Sequence, residues 1–127
     1  MRPVRRRSQR TAAIAVEMAF IIPVVLLVFF GLWEWSRVEM IKHVTENAVF
    51  VGARHGTLPG ATDTSTEAKV QEILDIYFIN AATVDASFDA GTGESTVTAT
   101  VSIDANVSLG YAFFAGKQFT TEMTLIQ

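Results

Sequence analysis

Hydrophobic positions follow three successive patterns along this chain. The first is nearly continuous: from Met18 to Trp33 there are sixteen residues without a charge. With its small-residue flank the apolar segment runs from about Thr11 to Trp35, long enough for a helix of roughly 20 residues to span a bilayer. Trp33 and Trp35 stand at its far end, where amphipathic rings favour the headgroup layer. Pro23 lies inside the segment and crowds the carbonyl of Ala19, so a kink or loosened turn is expected there. In the second pattern, Val38, Ile41, Thr45, Ala48 or Val49, and Gly52 recur at 3–4 spacing, with Arg37, Glu39, Lys42 and Glu46 on the other face. No proline occurs between Ser36 and Arg54, so the helix is expected to continue beyond the membrane until Gly56, Pro59 and Gly60 end it. The simplest role for this stripe is packing on the domain that follows.

The third pattern belongs to that domain. After a polar connection over Gly56–Ser65, Thr64 and Glu67 have capping-box spacing. Val70, Ile73, Leu74 and Tyr77 then predict a helix over about residues 65–81. Strict alternation over Thr96–Asp104 places Val97, Ala99, Val101 and Ile103 on one face of a strand. Phe119, Thr121, Met123 and Leu125 give a second strand, and Val84–Asp89 a third across the Ala90–Glu94 turn. Asn106–Phe114 reads as a further strand or an apolar loop, with Gly110 disfavouring the strand. The fold class expected is α+β: a long N-terminal transmembrane helix continuing out of the membrane, then a small head with one helix and a three- to four-stranded, mostly antiparallel sheet. The division is 1–12 as a basic leader, 13–35 as the transmembrane helix, 36–55 as its amphipathic extension and 56–127 as the head.

Charge gives this plan a direction. The formal net charge of -3 conceals a split. Arg2, Arg5, Arg6, Arg7 and Arg10 crowd the first ten residues without an acid, while the other five bases and all thirteen acids follow. Arginines abutting an apolar segment orient it, so Arg5, Arg6, Arg7 and Arg10 predict a cytoplasmic N-terminus with the acidic remainder outside. No aromatic residue lies among them, which argues against a nucleic-acid arm. A cleaved signal peptide has the same basic-then-apolar order, but this apolar run is longer than usual and no Ala-x-Ala site follows it.

Little in the sequence suggests catalysis. There is no cysteine, which excludes disulfides and thiolate metal sites, and the two histidines, His43 and His55, lack clustered carboxylates. Gly91-Thr92-Gly93 fits a tight turn better than a phosphate loop, and Asn106-Val107-Ser108 is a glycosylation sequon of a kind common by chance. No catalytic residue, metal or cofactor is assigned. One charge needs explanation: Glu17 sits just inside the apolar run, where an ionisable group is costly and usually has a partner.

Several of these features occur together in one family. The basic start, the small residues, Val16-Glu17-Met18-Ala19, Pro23 six residues after the glutamate, the Leu/Val/Phe run and Gly31 resemble the TadE-like family of tight-adherence (Flp) pilus assembly proteins. Asn47-Ala48 followed by Gly52-Ala53-Arg54 resembles the end of that family's long helix, so the specific likeness covers about residues 5–56. The resemblance implies a minor pseudopilin whose residues 1–12 are removed by a prepilin-type peptidase on the cytoplasmic side. Cleavage between Ala12 and Ala13 would make Glu17 the fifth residue of the mature chain. Its carboxylate could then neutralise the α-ammonium of a neighbouring subunit, an ion pair that would set register more than raw stability. Two positions depart from the family pattern: Ala12 stands where glycine is preferred before the cut, and Met18 replaces the usual aromatic.

The function expected is therefore assembly in the bacterial inner membrane, with other pilin-like subunits, the assembly machinery, the peptidase and lipid as partners. The competing reading is a single-pass anchored protein whose head binds a partner in an envelope complex.

Overall fold

The computed structural model describes residues 4–108 and 114–126, with side chains from residue 12 onward. The chain forms two compact units, Met1–Trp33 and Glu34–Gln127. One helix, α1 (Val4–Gly56), supplies the whole described part of the first unit and the opening of the second, and it runs on through Pro23.

In the second unit α1 is followed by α2 (Asp63–Ile76) and three strands, β1 (Ala82–Asp89), β2 (Glu94–Ser102) and β3 (Gln118–Ile126). The strands form one sheet in the order β1-β2-β3, antiparallel throughout. The expected α+β architecture is therefore present, with three strands among the described residues. Of the segment Asn106–Phe114, read as strand or loop, residues 106–108 lie outside the strands and 109–113 outside the described residues.

Alternation in β2 decides which face of the sheet is inward. Val97, Ala99 and Val101 are fully buried, opposite Ala86, Val84 and Ala82 on β1 and Met123, Thr121 and Phe119 on β3. The other face is polar, and hydroxyls pair across it: Thr96 with Thr124 and Thr100 with Thr120, each at 2.9 Å. Both helices pack on the inward face. Ile41, Ala48, Val49 and Ala53 of α1 join Val70 and Leu74 of α2 and the β2 residues in a single core. The 3–4 stripe of α1 is thus consumed by the head itself.

Two local readings differ from expectation. The cap of α2 is Thr62, not Thr64: its side chain accepts from Ser65 N at 3.2 Å, while Thr62 N donates to Ser65 Oγ at 3.0 Å. Either threonine fits the local pattern, but Glu67 has another use. Its Oε1 accepts from Ala86 N at 3.3 Å, satisfying an amide on the outer edge of β1. The helix also ends at Ile76 rather than near residue 81. Phe78 adopts φ 56, a left-handed conformation that stops helix propagation, and Ala81 follows at φ 54.

Asp104 closes the connection between β2 and β3. It accepts from Ser102 Oγ and, at 2.9 Å, from Gly116 N, while Ile103 N reaches Lys117 O at 2.9 Å. The Ser102 hydroxyl first, then the Gly116 amide, hold its carboxyl below its ordinary value of 3.8. A depressed carboxylate contributes stability above the unfolded value and loses it as pH falls through the folded one. The Asp104→Asn variant should therefore show a shallower loss of stability below about pH 4 in acid titrations followed by circular dichroism.

Candidate functional site

In the first unit every described side chain, from Ala12 to Trp33, is exposed. Ala12–Gly56 contains a window long and apolar enough to cross a membrane, none of it buried within the chain. A helix that is apolar all round and has no protein cover needs lipid or other helices around it. Phe29 and Trp33, one turn apart, place their rings 6.5 Å apart at the end of this segment.

Within this surface Glu17 is exposed, one helical turn beyond Ala13. Ala12, Ala13 and Glu17 all lie inside α1. Residues 5–7 and 10 lie in the helix as backbone, and their side chains are outside the described set. Trp33 and Trp35 are both exposed. The structure thus places the sequence-derived positions on one continuous helix.

Immediately after the apolar segment the chemistry changes. Glu34 is buried to 5% exposure, and its Oε1 accepts from Ser108 N at 3.1 Å. Arg37, expected on the solvated face, donates from Nε to the carbonyl of Asn106 at 2.6 Å. Asn106 itself is a hub. Its Oδ1 accepts from Asn80 N, and its Nδ2 donates to Asn80 O and Ser102 O, each at 2.7 Å. Its amide is fully engaged and the residue is buried, so the sequon is occupied by structural work. Sequence reasoning missed Glu34 and Asn106, since neither belongs to a periodic pattern and their contacts with Ser108, Asn80 and Arg37 join residues remote in the chain.

The far end of α1 is held by close approach. A Cβ on Gly52 would collide with Val70 Cγ2, and one on Gly56 with Ser95 Oγ. Ala48, Gly52 and Gly56 recur every fourth residue, and all three are buried. The two glycines therefore let α2 and β2 come against the α1 backbone. Arg54, beside them, is exposed.

Residues 12–54 match the family model described as TadE-like protein. This segment is TadE-like. The match begins at Ala12, spans the exposed apolar helix and stops two residues before α1 ends. It includes Glu17, Pro23, Gly52 and Arg54. No curated protein and no solved structure matches the chain. Among the described residues no group of three histidine, cysteine, aspartate or glutamate side chains could hold a metal. His43 pairs with Glu46 at 3.7 Å on an exposed face of α1.

Proposed function

We propose that this protein is a minor, pseudopilin-like subunit that works by helix-mediated assembly in the inner membrane. The observation that carries the reading is the TadE-like segment built as an uncovered apolar helix with one carboxylate, Glu17, near its start. In this reading Arg5, Arg6, Arg7 and Arg10 keep the N-terminus in the cytoplasm, and Trp33 and Trp35 mark the outer interface. A prepilin-type peptidase cuts between Ala12 and Ala13. The new ammonium then lies near membrane depth, where a neighbour's Glu17 can pair with it away from water. Pro23 leaves the Ala19 carbonyl without its amide, loosening the helix inside the membrane. The head faces the exterior.

Two measurements test separate parts. Intact mass after co-expression with a cognate peptidase should show loss of residues 1–12; a chain still beginning at residue 1 or 2 removes the processing step. Glu17→Gln keeps the size and removes the charge. Its recovery in affinity-purified pilus assemblies should fall at least tenfold while membrane insertion is unchanged, a loss of about 1.4 kcal/mol or more. Undiminished recovery would reject the pairing role.

A further inference from the structure

The bond that the proposed processing would cut lies inside a helix. α1 starts at Val4 and runs through Ala12 and Ala13 without a break. In α-helical bonding the Ala12 carbonyl accepts from the Val16 amide, and the Ala13 amide donates to the Gln9 carbonyl. Hydrolysis needs both groups free. Water adds to the Ala12 carbonyl carbon, the C–N bond breaks, and the products are an Ala12 carboxylate and an Ala13 ammonium. An enzyme groove reads backbone groups of this kind in an extended chain, which a helical turn does not present.

Little holds this part of α1 closed. From Ala12 to Trp33 the described side chains are all exposed, so among them no packing within the chain supports the backbone bonds. The first turn contains no acid. Instead Arg5, Arg6, Arg7 and Arg10 stand near the positive end of the helix dipole, which disfavours cations. Arg6 and Arg10 are four apart and Arg7 and Arg10 three apart, spacings at which like charges repel on a helix. Ala12, Ala13 and Ala15 oppose this, since alanine is the strongest helix former. Further along, the uncharged run from Met18 cannot open in lipid, where freed backbone groups find no water. Opening is therefore confined to the residues before that run.

We infer that the arginines weaken the start of α1 so that it unwinds locally, and that the unwound population sets how fast the Ala12–Ala13 bond is cut. The inference rests on the processing reading above. When opening and closing outpace the cut, the rate follows the equilibrium population of the open form. Ser8 and Gln9 then become rate-determining positions, because they lie in the turn that must unwind. Glycine there favours the open form and alanine the helix. Neither substitution changes the charge of the leader or the residues at the bond.

The test uses full chains carrying Ser8→Gly, Ser8→Ala, Gln9→Gly or Gln9→Ala in phosphatidylcholine nanodiscs. Cleavage by a cognate prepilin-type peptidase is followed by intact mass. At each position the glycine variant should be cut about fivefold faster than the alanine variant, and the two double variants should differ about 25-fold. Amide hydrogen exchange at Ala13, measured without the peptidase, should change by the same ratios. Raised ionic strength screens the arginines and should slow that exchange about twofold in the parent chain. Exchange indifferent to salt would overturn the arginines' part. Cleavage rates that do not follow exchange across the four variants would overturn the inference and leave processing standing. Exchange equal in glycine and alanine variants would overturn it too. Failure to cut any chain, the parent included, removes the processing step and the inference with it.

Discussion

Gly52→Ala should destabilise the head by about 2 kcal/mol, within the range for overpacking a closed core. The direction is opposite to helix propensity, which favours alanine over glycine by about 1 kcal/mol in an exposed helix. The reason is the Val70 methyl that the new Cβ would meet. Valine is β-branched and has little rotamer freedom with which to withdraw. The whole of α2 must then move away from α1, opening the core around Val49 and Leu74. Gly52→Leu should abolish cooperative unfolding of the head altogether. Urea unfolding of the detergent-solubilised chain, followed by circular dichroism, measures both. A second substitution separates close packing from backbone flexibility. Val70→Ala alone should cost about 2 kcal/mol through lost burial and a small cavity. If the clash is the cause, Gly52→Ala with Val70→Ala should cost much less than the two summed, with a coupling energy of about 2 kcal/mol. Strict additivity would sink the close-approach explanation.

Asn106→Leu comes next, with an expected loss of about 3 kcal/mol. The substitution keeps the size but removes three hydrogen bonds, all to backbone atoms. Each buried group left without its partner costs about 1–3 kcal/mol, reduced here because Asn80 lies at the surface and water can reach it. The loss should be local before it is global. Hydrogen exchange at Asn80 should quicken by one to two orders of magnitude, while the β2 amides around Ala99 keep their protection until global unfolding. Uniform acceleration through the sheet would show that Asn106 supports the whole head and not one junction. Arg37→Ala should have a smaller effect, since Arg37 itself is half-exposed and water can take its place at the Asn106 carbonyl.

These two sites differ in how visible they are from sequence. Gly52 stands in a recognisable stripe, and its neighbours Ala53 and Arg54 carry the TadE-like likeness. The stripe identifies the buried face of α1, but not that Val70 lies across from it. Asn106 carries no such signal; its local sequence suggested only a chance sequon. Arg37 and Asn106 are separated by 69 residues, and Glu34 and Ser108 by 74, so no window-based pattern can connect them. The start of α2 was misread for a related reason. Thr62 and Thr64 are locally comparable caps, and what separates them is that Glu67 is engaged by the edge of β1, a contact made only in the folded head.

The proposed assembly site shows the reverse balance. The spacing of Glu17, Pro23 and the arginines is linear information, and the described side chains of residues 12–33 are all exposed. What the fold adds is the fate of the extension. With Ile41, Thr45, Ala48 and Val49 buried in the head, that face of α1 is closed to neighbouring subunits. Lateral association, if it extends past the membrane, must use the opposite face, which presents Met40, His43 and Phe50.

The sequence by itself determined the elements, because a 3.6-residue period, a two-residue period and an uncharged run are each set by neighbours along the chain. It determined the membrane-type segment, the position of Glu17 and the apolar faces of β2 and β3. The tertiary structure alone decided which helix face meets which strand, why Gly52 and Gly56 must be small, and how Asn106 joins three segments. Those outcomes depend on pairs of atoms brought together by burial of a shared core, and burial acts on distance in space with no regard to distance along the chain.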